Sequence, residues 1–192
     1  MKLTKQILTL ILIGISTLCF AQNMYKKVYK YDVYNKDWAL VKDITGSYGF
    51  IDRDGKEVVQ TIYAKIGKFT ENFGKYALVK DIAGYYGLID RNGKIVVEPI
   101  YAKIGKFTEN FGKYALVKDI AGYYGLIDRN GKIVVEPICA KIGKFTKNFG
   151  KYALVKDIAG CYGLIDQNGK DVIPCIYRNK HEVTKQLNNL KD

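Results

Sequence analysis

The sequence predicts an all-β protein: tandem 38-residue repeats of three-stranded antiparallel meanders, stacked as an open, curved or solenoid-like array. Three observations lead there. The stretch from Gly84 to Ala121 returns from Gly122 to Ala159 with only Tyr101 to Cys139 and Glu109 to Lys147 differing. The preceding copy, Gly46 to Ala83, departs from it at Ser47, Phe50, Asp54, Glu57, Gln60 and Thr61. Turn signals recur at fixed places in every copy, and the residues between them are short runs rich in Val, Ile and Tyr. Self-similarity at this period marks an architecture in which each unit buries its apolar face against its neighbours.

Taken in order, residues 1–21 place Lys2 and Lys5 before an apolar run, Ile7 to Phe20, and end at Ala21. This pattern predicts a secretory signal peptide cleaved after Ala21. The run is short for a membrane span, and none is expected in the mature chain. A lipid anchor at Cys19 is the lesser alternative, because Leu18 rather than a small residue precedes that cysteine. Without Lys2 and Lys5 the net charge falls from +12 to +10, spread over the repeats with no block of like charge. Such charge favours acidic partners, although basic surfaces also serve simple solubility.

The array is expected as a part-unit 24–45, full units 46–83, 84–121 and 122–159, and a part-unit 160–177. Within a unit, Asp90-Arg91-Asn92-Gly93-Lys94 reads as a three-residue hairpin loop with Gly93 left-handed. Counting outwards by single steps puts Ile89 opposite Ile95, Leu88 opposite Val96 and Tyr86 opposite Glu98. One face is then core; the other is half apolar and partly covered by a neighbour. Tyr114 to Asp119 forms the strand before the next hairpin, joined by a turn at Ala121-Gly122. The connection Ala102 to Gly112 is read as a link pinned by Phe107 and Phe111, without a helix because of its two glycines. The tail 178–192 carries Val183, Leu187 and Leu190 at the spacing of a short amphipathic capping helix. The complementary part-units allow a propeller-like closed ring as the alternative; the capping tail favours the open form.

The run YGLIDRNGKIVVEPIY followed by KFTENFGKYALVK resembles the WG-repeat, or KWG-repeat, family of bacterial proteins. The positions that carry the resemblance are Tyr86-Gly87, Leu88, Ile89-Asp90, Gly93-Lys94, Val96-Val97, Pro99, Tyr101, Phe107 and Ala115 with Val117. It spans about Tyr25 to Tyr177. Tyr48, Tyr86, Tyr124 and Tyr162 stand where the family usually has tryptophan, and Gln60-Thr61 replaces the later Glu-Pro. The resemblance implies an interaction or structural module, often exported, with no general activity.

The residues themselves point away from catalysis, which needs unlike groups brought together. His181 is the single histidine and lies outside the repeats, so no histidine triad or zinc cluster assembles within them. Asp90, Asp128 and Asp166 read as turn partners of Lys94, Lys132 and Lys170 rather than as a carboxylate row. No catalytic residue, metal or cofactor is expected. The candidate binding residues are Tyr86, Tyr124 and Tyr162 with Lys65, Lys68, Lys103, Lys106, Lys141 and Lys144, against the simpler reading that they are half-buried sheet residues and solubilising charge.

The expected function is that of a secreted, monomeric, non-catalytic interaction or scaffold module of the bacterial cell envelope or exterior, its partner a protein or glycan. The alternative is a lectin-like or polyanion-binding protein recognising acidic polysaccharide or, less expected, extracellular nucleic acid. Single-step counting from the last turn also places Cys161 opposite Cys175, a predicted disulfide. Cys139 is left without such a partner.

Overall fold

The computed structural model describes residues 24–145, 149 and 151–190; the expected signal peptide and Cys19 lie outside them. Among the described residues, fifteen strands form three antiparallel sheets. The first holds β1 (Lys27–Val28), β2 (Ala39–Lys42), β3 (Tyr48–Ile51), β4 (Glu57–Phe69), β5 (Ala77–Asp81), β6 (Tyr86–Ile89) and β7 (Ile95–Tyr101) in sequence order. The second holds β8 (Lys103–Phe107), β9 (Ala115–Lys118), β10 (Tyr124–Ile127) and β11 (Ile133–Cys139). The third holds β12 (Lys141–Phe145), β13 (Ala153–Lys156), β14 (Tyr162–Ile165) and β15 (Asp171–Tyr177). One helix, α1 (Lys180–Asn189), ends the described chain. Among the described residues no pairing joins the first strand to the last, so the array is open, and no helix is long and apolar enough to cross a membrane.

Two Asp-x-x-Gly turns shape each unit. In the first, Asp90 Oδ1 accepts the Asn92 and Lys94 backbone N–H groups at 2.8 and 2.9 Å, and Gly93 adopts φ +84°. In the second, Asp81 Oδ1 accepts the Tyr85 N–H at 2.8 Å, and Gly84 sits at φ +97°. A side-chain acceptor two to four residues before its donor fixes a turn that the backbone alone would leave soft.

The meander expected from these turns is present, and the connection supplies a fourth strand. Residues 103–107 pair with β9, with Ile104 opposite Val117 and Phe107 opposite Ala115. A single 3-10 turn, Glu109–Phe111, follows and is ended by Gly112 in the left-handed region.

The hairpin register differs from single-step counting. Ile89 faces Ile95 as expected, but Leu88 faces Val97 and Tyr86 faces Tyr101, because bulges interrupt the β6–β7 pairing. Gly87 explains them: a Cβ there would lie 2.5 Å from the Val97 carbonyl oxygen and 2.8 Å from the Pro99 nitrogen. The facing strand arches over a residue with no side chain, and Pro99 has no N–H to contribute to the ladder.

The same bulges overturn the cysteine register. Tyr162 faces Tyr177 and Leu164 faces Ile173, so Cys161 does not stand opposite Cys175. Instead the Cys175 Sγ lies 2.9 Å from where a Cβ on Gly163 would be, and the thiols of Cys139, Cys161 and Cys175 are free. Cys139 and Cys175 pack against the same core cluster. Burial, with smaller effects from Asp157 and the neighbouring thiols, pushes the Cys175 thiol up to about 11, and burial raises Cys139 as well.

The units are locked together by two adjacent residues that face opposite ways. Leu88 packs with Val97, Tyr101, Ile104 and Val117, whereas Ile89 packs into the preceding cluster with Phe50, Val59, Phe69 and Val79. Leu126 and Ile127, then Leu164 and Ile165, repeat the arrangement, all but fully buried. Consecutive buried residues in a strand require both faces of the sheet to be covered. The hairpin turn of each unit also reaches back: Arg91 lies 5.0 Å over the Phe69 ring and Arg129 5.4 Å over Phe107. After the last unit α1 takes the place of the missing hairpin. Its Asn179 cap accepts the Glu182 N–H at 3.0 Å, and Val183 and Leu187 cover Leu164 and Ile173, while Leu190 stays exposed.

Candidate binding rows of lysine and tyrosine

The second turn and the fourth strand together build a cross-strand row. Counting back from the Asp81–Tyr85 turn places Lys80 opposite Tyr86, and β4 places Lys65 opposite Lys80. Directly opposed residues of an antiparallel pair share a face, so Lys65, Lys80 and Tyr86 project from adjacent strands on the same side. The rows Lys103–Lys118–Tyr124 and Lys141–Lys156–Tyr162 repeat this in the following units, and Lys27–Lys42–Tyr48 precedes it.

In each row the middle ammonium lies over the tyrosine ring. The Nζ-to-centroid distances are 5.1 Å for Lys42, 5.3 Å for Lys80, 5.4 Å for Lys118 and 5.2 Å for Lys156. Hydrogen bonding from Lys42 pulls the Tyr48 phenol below its ordinary value, with a further contribution from Tyr29. Cation–π contact offsets part of the repulsion between the paired lysines, which otherwise destabilise a ladder when they stand opposite each other. Carboxylates do not offset the rest. Among the described residues the ion pairs are those of Arg53 with Asp32 and Asp37, each at 2.6 Å.

Each row of the full units borders a cleft. That of about 320 Å³ is walled by Lys65, Lys68, Lys80, Tyr86 and Phe73; that of about 400 Å³ by Lys103, Lys106, Lys118, Tyr124 and Phe111. The hydroxyls of Thr70 and Thr108, which also line these clefts, are buried without a hydrogen-bond partner. The third cleft, lined by Lys141, Lys156 and Tyr162, is smaller, about 80 Å³, and gains Lys180 from α1. The clefts thus combine lysine ammonium groups, aromatic side chains and unpaired hydroxyls, a set able to hydrogen-bond an acidic group.

Of the residues singled out from sequence, Tyr86, Tyr124, Tyr162, Lys65, Lys103 and Lys141 enter the rows, and Lys68 and Lys106 line the clefts. Lys144 is exposed on β12 but does not line the third cleft. Sequence reasoning missed the middle lysines, Lys42, Lys80, Lys118 and Lys156. The signal was present: the count that pairs residues across the Asn-Gly turn, applied across the second Asp-x-x-Gly turn, puts each one opposite its tyrosine. His181 is exposed on α1, and no group of three or more His, Cys, Asp or Glu that could hold a metal occurs among the described residues.

Comparison with solved structures finds BamB from Moraxella catarrhalis, 13% identical, with a TM-score of 0.32, covering 77% of this chain and 48% of that one. A protein of unknown function from Bacteroides caccae is 16% identical, with a TM-score of 0.27, covering 76% of this chain and 58% of that one. The chain thus spans about half the length of these two structures. No curated protein matches it. The WG containing repeat profile matches residues 48–81, 86–119, 124–157 and 162–179, each match beginning at the tyrosine of a row. These matches take in more than half of the sequence, and the chain belongs to the WG containing repeat family.

Proposed function

We propose that the protein is a non-catalytic interaction or scaffold module, exported to the bacterial cell envelope or beyond, which holds an acidic partner along its lysine–tyrosine rows. The observation that carries this reading is the directly opposed lysine pair, present in four successive rows without a carboxylate partner among the described residues. Such a pair costs stability when unliganded and gains when an anion lies between the two ammonium groups. The arrangement favours a polyanion over a partner held by aromatic contact alone. Several rows on one array act together, so weak single contacts sum to useful affinity.

Binding of dextran sulfate across a salt series tests the reading. The protein should bind at about 50 mM salt and weaken steeply by about 200 mM, as counterion release requires. Combined Lys42→Gln, Lys80→Gln, Lys118→Gln and Lys156→Gln should abolish the interaction. A folded wild-type protein that ignores the polymer at low salt would overturn the proposal.

A further inference from the structure

The rows occupy one end of each unit, and that end has a second property. The Asp-x-x-Gly turn beside each row carries an isoleucine at its tip: Ile44, Ile82, Ile120 and Ile158, between 66 and 83% exposed. These are not loose loops. The aspartate that opens each turn accepts the backbone N–H four residues on at 2.7 to 2.8 Å, holding the tip in place. A second set, Ile62, Ile100, Ile138 and Ile176, is 50 to 66% exposed. Each precedes the residue that faces the row tyrosine, as Ile100 precedes Tyr101, so both sets lie at the lysine-bearing end.

Resting on the acidic-partner reading above, we propose that this end docks on an anionic lipid surface. The lysine pairs meet headgroup phosphates, the row tyrosines lie at the polar boundary, and the turn-tip isoleucines enter the edge of the acyl region. A soluble polyanion would satisfy the lysines and leave the isoleucines in water. A folded protein partner needs one continuous complementary patch, whereas a fluid bilayer closes around separate protruding tips. One contact of this kind is weak and reversible; the repetition of the tip along the array makes the attachment multivalent.

The mature chain should sediment with vesicles of phosphatidylglycerol and phosphatidylcholine, and not with phosphatidylcholine alone. A variant combining Ile44→Ser, Ile82→Ser, Ile120→Ser and Ile158→Ser leaves core and lysines intact. It should keep dextran sulfate binding within about twofold while losing vesicle affinity by about tenfold or more, since apolar insertion and charge act together at a bilayer. Three results would overturn the proposal: wild type that binds dextran sulfate but no vesicles, vesicle binding undiminished by the serines, or equal loss of both ligands. The first would make a soluble acidic polymer or protein the occupant. Wild type that binds neither ligand would remove the lysine rows as a binding surface altogether.

Discussion

The two ends of the β5–β6 pair do opposite things within four residues. At one end Ala77 faces Ile89 and Leu78 faces Leu88, and the Ile89 side chain reaches into the preceding unit's core. At the other, Lys80 faces a half-buried Tyr86 that packs on the edge of the unit's core, beside the exposed Ile82. The buried end stabilises through apolar area removed from water, whereas the opposed lysines at the other end contribute little or cost stability. If the rows bind as proposed, the repeat separates stacking and binding along its strands, so the contact surface can vary without loosening the stack.

That contrast predicts a graded series of substitutions. The largest effect belongs to Gly131→Val. Gly131 has φ +81°, and a Cβ there would lie 2.3 Å from the Val96 carbonyl oxygen of the preceding unit. Backbone strain and a clash between units should together cost about 3 kcal/mol or more, measured by urea denaturation. An unchanged midpoint would mean that the turn does not pack on its neighbour. Next is Leu126→Ala, a fully buried site, expected to cost about 2 to 5 kcal/mol. Ile120→Ser, a few residues away at the exposed end, should stay within about 0.5 kcal/mol of wild type. Comparable losses at both positions would erase the distinction between the ends.

Thiol chemistry extends the contrast to the last unit. Cys175 is held protonated by burial, its folded value near 11 against 9.0 for an ordinary thiol. The raised value stabilises the fold fully below about pH 9, and that contribution is lost as the pH rises towards 11. In the native protein the alkylation rate of Cys175 should keep climbing up to about pH 11, where the urea-unfolded chain levels off near pH 9. A native plateau near 9 would place this thiol in open water.

Much of the fold was legible because its determinants are local. Asp90 with Gly93, and Gly122 after Ala121, announce their turns from adjacent residues, and the copying of the unit announces the stack. The bulges were not legible, since they depend on the facing strand crossing a glycine, Gly49 by Thr61, Gly87 by Pro99 and Gly163 by Cys175, a contact that single-step counting cannot see. That one shift misplaced Cys161 against Cys175. The fourth strand was read as a link because a bulge between Ile104 and Phe107 breaks its alternation. At the candidate site the outer lysines and the tyrosines were found, but Lys80 and its copies looked like ordinary charge at a strand end. Their significance appears only when both neighbouring strands are in place.

The claim that one end of every unit folds the protein and the other binds is tested most directly by thermal melting of the four-lysine variant, Lys42, Lys80, Lys118 and Lys156 to Gln, at low salt. Removing one member of each opposed pair relieves repulsion of about 0.2 to 1 kcal/mol per pair, offset in part by the missing cation–π attraction. The melting temperature should therefore hold or rise by a few degrees, roughly 2 to 4 °C per kcal/mol for a chain of this size, while dextran sulfate binding disappears. A fall of several degrees would contradict the account, because it would make the lysine rows part of what holds the repeats together.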